Sequence, residues 1–142
     1  MWIFTNKGFV SIVEDRNDPD YLLIRARIKG DLERLFEDVV NSCSAEISET
    51  PDADYRFRVR LPRELVTRAI QKEVQSVDYD NFKNSYRDNE SVPAAHRSLC
   101  HSHMQDVWGA MLTAQHEAQD LEEDYEGLPF SWERSGNGPE NS

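Results

Sequence analysis

Ile24-Arg25-Ala26-Arg27-Ile28-Lys29-Gly30-Asp31-Leu32 lines up without a gap on Phe57-Arg58-Val59-Arg60-Leu61-Pro62-Arg63-Glu64-Leu65. Each stretch alternates apolar residues with arginine, then passes through two residues to an acid and a leucine. The alternation has the period of a half-buried strand. An acid just past the strand suits the positive end of a helix that starts there. Both stretches follow a turn ending in Asp-Tyr, at Asp20-Tyr21 and Asp54-Tyr55, with a one-residue difference in spacing. A bulge can absorb that difference.

The same recipe extends outward from each copy. Phe9-Val10-Ser11-Ile12-Val13 is rich in β-branched residues and reads as a strand before the first copy. The Asp15-to-Asp20 stretch between them favours turns throughout. Ala45 to Thr50 reads as a more polar strand before the second copy, whose own strand runs Tyr55 to Leu61 with Tyr55, Phe57, Val59 and Leu61 inward. Leu32, Leu35, Phe36 and Val39 recur at helical spacing, as do Leu65, Val66, Ala69, Ile70 and Val74. Pro62 fits the first turn of the second helix. Tyr79, Phe82 and Tyr86 fall on one face of a further helical segment. A last helix over about 94–123 has Met104, Val107, Trp108, Met111 and Ala118 as its apolar seam.

The expected fold is therefore α+β. Two strand–strand–helix units build a four- to five-stranded antiparallel sheet with helices on one face, and a long C-terminal helix follows. Residues 1–116 form a single domain in this reading. Residues 117–142 form the acidic end of the helix and a tail expected to be disordered.

Composition narrows the classes. The chain has 142 residues, 38% hydrophobic and 30% charged, enough to bury a core without disulfides or metal. No apolar run approaches the roughly 18 residues a membrane span needs. The opening Met-Trp-Ile-Phe is too short for a signal peptide, so a cytoplasmic protein with reduced Cys43 and Cys100 is expected. The net charge is −11. Eight acids from Glu117 onward, against Arg134 alone, leave about −7 there and about −4 on residues 1–116.

Three constellations carry chemistry. Arg25, Arg27, Arg56, Arg58 and Arg60, with Tyr21, line the sheet face away from the core. Arginine forks suit phosphates and carboxylates, and with an aromatic they suit single-stranded nucleic acid. The competing reading pairs them internally with Glu14, Glu46 or Glu49. Net acidity argues against nucleic acid. His96, Cys100 and His103 stand at i, i+4 and i+7 with zinc-type ligands, yet His-Glu-x-x-His and Cys-x-x-Cys are both absent. The alternative is a polar helix face with Cys100 as a small filler, and no metal or other cofactor is assigned. Leu128, Phe130 and Trp132 in the acidic tail suggest a short docking motif.

No Gly-x-Ser-x-Gly and no glycine-rich phosphate loop occurs, so no enzyme is expected. The opening Met1-to-Val13 stretch, the Leu23-to-Ile28 strand and Asp78-to-Asn84 resemble a family of small bacterial and phage proteins. That resemblance implies a prokaryotic or phage setting and no particular activity. The reading is a non-catalytic interaction or regulatory protein with a protein partner, a second copy of itself included. The alternatives are a phage-type inhibitor that imitates nucleic acid with its acids, and nucleic-acid or phosphate binding through the arginine face.

Overall fold

The computed structural model describes residues 1–125. The chain divides into two compact units, one of residues 1–102 and one that begins at His103. The strands are β1 (Trp2–Thr5), β2 (Gly8–Glu14), β3 (Tyr21–Ala26), β4 (Ser48–Glu49) and β5 (Phe57–Pro62). The helices are α1 (Lys29–Ser42), α2 (Arg63–Gln75), α3 (Phe82–Asp88) and α4 (Ala94–Tyr125). The α+β class, the antiparallel sheet and the long final helix are as the pattern requires. No helix among the described residues is long and apolar enough to cross a membrane.

The five strands lie in the order β1-β2-β3-β5-β4, all antiparallel. The two repeat copies meet at the centre. Arg25 pairs with Arg58, Ile24 with Val59, and Ala26 with Phe57. Arg25 and Arg58 are equivalent in the two copies, and on either side of them Ile24 faces the equivalent of Ala26 and Ala26 the equivalent of Ile24, as a local two-fold axis at the Arg25·Arg58 pair demands. The next strands out continue the symmetry, because Ser11 faces Arg25 and Ser48 faces Arg58.

The inward positions form one core. Val10, Ile12, Ile24, Ala26, Val59 and Leu61 supply the sheet side, with Leu32, Leu35 and Phe36 from α1 and Val66 from α2. Burying each large aliphatic side chain is worth about 1.5–3 kcal/mol relative to exposure. This apolar layer sets the strand register, since a one-residue slip would turn every strand inside out.

Several boundaries differ from the pattern. The polar third strand shrinks to Ser48–Glu49, with too few apolar residues to hold more of a ladder. Pro62 ends β5 and caps α2 from outside, since it lies in extended backbone. Tyr79 precedes α3, which starts at the Asn81 cap, where Asn81 Oδ1 accepts from the Asn84 N–H at 3.0 Å. Tyr79 and Phe82 still meet, with ring centroids 6.4 Å apart, while Tyr86 is buried. Of the expected α4 seam only Met104 is buried; Val107, Trp108 and Met111 are 44%, 59% and 65% exposed.

One turn gathers the first unit. Gly8 sits at φ +154°, and a Cβ there would lie 2.4 Å from the Asp31 carboxylate carbon. Asp31 is buried, accepts from the Phe9 N–H at 3.2 Å and pairs with Arg34 at 2.6 Å. Arg34 Nε also donates to the Lys7 carbonyl at 2.7 Å, and Lys7 pairs with Glu73 of α2 at 2.5 Å. Asn6 donates to Ser85 Oγ of α3 and accepts at its carbonyl from Asn89. Burial pushes the Asp31 carboxyl above the usual carboxylate range, against the pull of the Phe9 N–H and Arg34. Asp31 is therefore a clamp on the β1–β2 turn rather than a surface charge at a helix end.

Gly8→Ala is expected to destabilise the fold by about 2 kcal/mol or more, from backbone strain and collision with Asp31. Urea unfolding followed by circular dichroism measures it, and an unchanged midpoint would contradict this account of the turn.

Candidate binding face of the sheet

The face opposite the core is built by the alternate residues of the same strands. One cross-strand row reads Trp2, Ser11, Arg25, Arg58, Ser48. A second reads Val13, Leu23, Arg60. Phe4 and Phe9 lie opposite one another beside the first row, their rings stacked at 4.3 Å, with Trp2 edge-on to Phe9 at 5.8 Å. Trp2 is 67% exposed.

The register places the guanidinium-bearing side chains Arg25 and Arg58 side by side, an arrangement that like charges resist. The surroundings offset this in different ways for each. Arg25 donates to Ser11 Oγ at 2.8 Å and stands 4.6 Å from the centre of the Tyr55 ring. Arg27 stands 4.2 Å from the same ring and 5.7 Å from that of Phe9. Arg58 reaches Asp54 at 3.7 Å. The Nε–H groups of Arg25 and Arg58 are both buried without an acceptor. Guanidinium over an aromatic face is attractive by about 0.5–2 kcal/mol.

The remaining arginines are neutralised by acids. Arg56 pairs with Glu49 at 2.5 Å. Arg60 pairs with Asp15 at 3.1 Å and Asp18 at 3.6 Å while lying 3.6 Å over the Tyr21 ring. Arg63 pairs with Glu14 at 2.7 Å. Of the acids the pattern nominated, Glu49 serves the face and Glu14 serves Arg63 instead. Most of the pairing comes from the turn residues Asp15, Asp18 and Asp54. Asp15 accepts from the Asn17 and Asp18 N–H groups, and these contacts with Arg60 hold its carboxyl below the usual range.

Tyr55 departs from its expected side. Its parity with Phe57 and Val59 points inward, yet β5 begins only at Phe57. The Tyr55 N–H bonds the Asp54 carboxylate, so the residue belongs to the turn and strand alternation does not govern it. The ring is 3% exposed and packs under Arg25 and Arg27 rather than in the helix-side core. Trp2, Phe4 and Phe9 also belong to this face. Alternation with the inward Val10 and Ile12 is the signal that could have placed Phe9 there.

The histidine constellation is not drawn together. His96 is half-buried, with its Nδ1 buried and without a partner. Cys100 is half-buried beside Tyr86, whose hydroxyl is pushed upward by burial first and then by Cys100. His103 is exposed and pairs with Asp106 at 3.3 Å. Among the described residues no group of three His, Cys, Asp or Glu side chains could hold a metal ion. Cys43 and Cys100 are both free thiols. Leu128, Phe130 and Trp132 lie outside the described residues. Two open clefts of about 590 and 500 Å3 flank α1, and neither includes a residue of the arginine face.

Compared with protein-family models, with curated proteins and with solved structures, the chain matches none.

Two measurements check this face. Tyr55→Ala is expected to cost about 3 kcal/mol by removing a buried ring and the platform of two guanidiniums; a loss below 1 kcal/mol, by the same estimate, would place Tyr55 outside the packing. The Asp15 carboxyl is expected to titrate below the ordinary Asp range by NMR. In Arg60→Ala its pKa rises only partway back, because the Asn17 N–H is the largest cause. A depressed pKa adds stability above the unfolded value and loses it as pH falls through the folded value. Full return to the ordinary range in Arg60→Ala would contradict the role of the turn.

Proposed function

We propose that this chain is a non-catalytic binding protein that engages an acidic protein surface through the second face of its sheet. The observation that carries this reading is the patch of Trp2, Phe4, Phe9, Arg25, Arg27 and Tyr55. Tryptophan, tyrosine and arginine dominate the energetics of protein interfaces. Among the described residues Arg25 and Arg27 have aromatic and hydroxyl partners but no carboxylate, unlike Arg56, Arg58 and Arg60. The guanidinium pair held on the Tyr55 ring is pre-organised, which lowers the entropy cost of accepting a partner's carboxylate.

A single-stranded nucleic acid is the second reading, favoured by the stacked Arg60–Tyr21 pair and the exposed Trp2. Two of the arginines it needs, Arg56 and Arg60, are already taken by carboxylates within 3.1 Å. The net charge of −11 opposes phosphate further.

The immobilised full chain is expected to retain a protein from a prokaryotic lysate, and Arg25→Ala/Arg27→Ala to release it. Fluorescence anisotropy with a labelled single-stranded oligonucleotide is expected to show no binding at physiological salt. Tight oligonucleotide binding that vanishes in Arg25→Ala/Arg58→Ala would replace this reading with the second.

A further inference from the structure

From His103 onward, α4 carries Val107, Met111, Ala114, Ala118 and Leu121 at alternating spacings of four and three residues. That is the a/d spacing of a heptad seam, and no charged residue interrupts it. Val107, Met111 and Leu121 are 44%, 65% and 60% exposed, and Ala114 and Ala118 are exposed too. The other side of the helix carries Gln105, His116, Gln119 and Asp120, with Leu112 among them. Helices in proteins draw most of their stability from packing an apolar stripe against something.

We propose that this seam is a self-association surface, in which α4 of two copies pairs antiparallel. Size and charge together select this occupant and this orientation. The first part of the seam is large, at Val107 and Met111, and the next part small, at Ala114 and Ala118. In an antiparallel pair Met111 packs on Ala114 of the other copy and Val107 on its Ala118. This makes four layers of large against small around a two-fold axis, a closed and self-complementary arrangement. A parallel pair stacks Ala114 on Ala114 and Ala118 on Ala118, which leaves gaps. It also sets Glu117 across from Glu122 of the other copy, carboxylate against carboxylate. The antiparallel pair removes that repulsion. It also opposes the two helix dipoles. The surface is distinct from the sheet face, so either proposal can fail alone.

Sedimentation equilibrium of the full chain is the test. A concentration-dependent dimer is expected, and Met111→Glu should raise its Kd at least about tenfold by placing an unpaired carboxylate in the seam. Met111 is exposed, so the circular dichroism of the variant should match the wild type. Orientation is read by oxidative cross-linking in a Cys43→Ser/Cys100→Ala background. Val107→Cys mixed with Ala118→Cys should form the mixed disulfide, and Val107→Cys alone should form none. The two Val107 positions stand about 16 Å apart along an antiparallel pair, at 1.5 Å per residue. A chain that stays monomeric at every concentration, a dimer indifferent to Met111→Glu, or self-linking of Val107→Cys would each overturn the proposal.

Discussion

The pairing of β3 with β5 is the constraint on which the rest of the first unit depends. Its register is set on the inward side, where Ile24 meets Val59 and Ala26 meets Phe57. The pleat then leaves no choice on the other side, and Arg25 must stand beside Arg58. Two guanidiniums brought together by an apolar core need compensation. The chain supplies it locally, with Ser11 and Tyr55 for Arg25 and Asp54 for Arg58. Much of the composition of the turns follows from that requirement.

The same logic explains how the acids are spent. Asp15, Asp18 and Asp54 occupy turns, where their side chains bond nearby N–H groups and remain in reach of the arginine face. Asp31 does different work. It is buried under the Gly8 turn and holds the β1–β2 hairpin to α1 through Phe9 and Arg34. These acids offset positive charge inside the first unit. The excess that remains lies largely from Glu117 onward. Arg25 and Arg27 stand out because their partners among the described residues are rings and a hydroxyl.

Legibility tracked the range of the interactions involved. The outward arginines Arg25, Arg58 and Arg60 were readable, because strict alternation has only one solution once the apolar residues are inside. Tyr55 was misread for the same reason, since the alternation stops at the turn and its ring follows the turn's hydrogen bonds. The acid partners of the arginines were half visible. Glu49 is a strand neighbour, whereas Asp15 and Asp18 reach Arg60 across 45 and 42 residues of sequence. Periodicity found the seam of α4 but does not say what covers it, and most of that stripe is exposed in the single chain.

What the sequence by itself determined is most of the elements, though not β1, the inward faces of β2, β3, β5 and α1, that of α2 as far as Ile70, and the twofold recipe of strand, strand and helix. These follow from local spacing and the hydrophobic effect alone. What only the tertiary structure decided is the meeting of the two copies at Arg25 and Arg58, the platform of Tyr55 beneath Arg25 and Arg27, and the burial of Asp31 against Gly8. Each joins residues far apart along the chain, and no local pattern encodes which strand lies beside which. The register of the sheet decides it, through packing that exists only once the chain has folded.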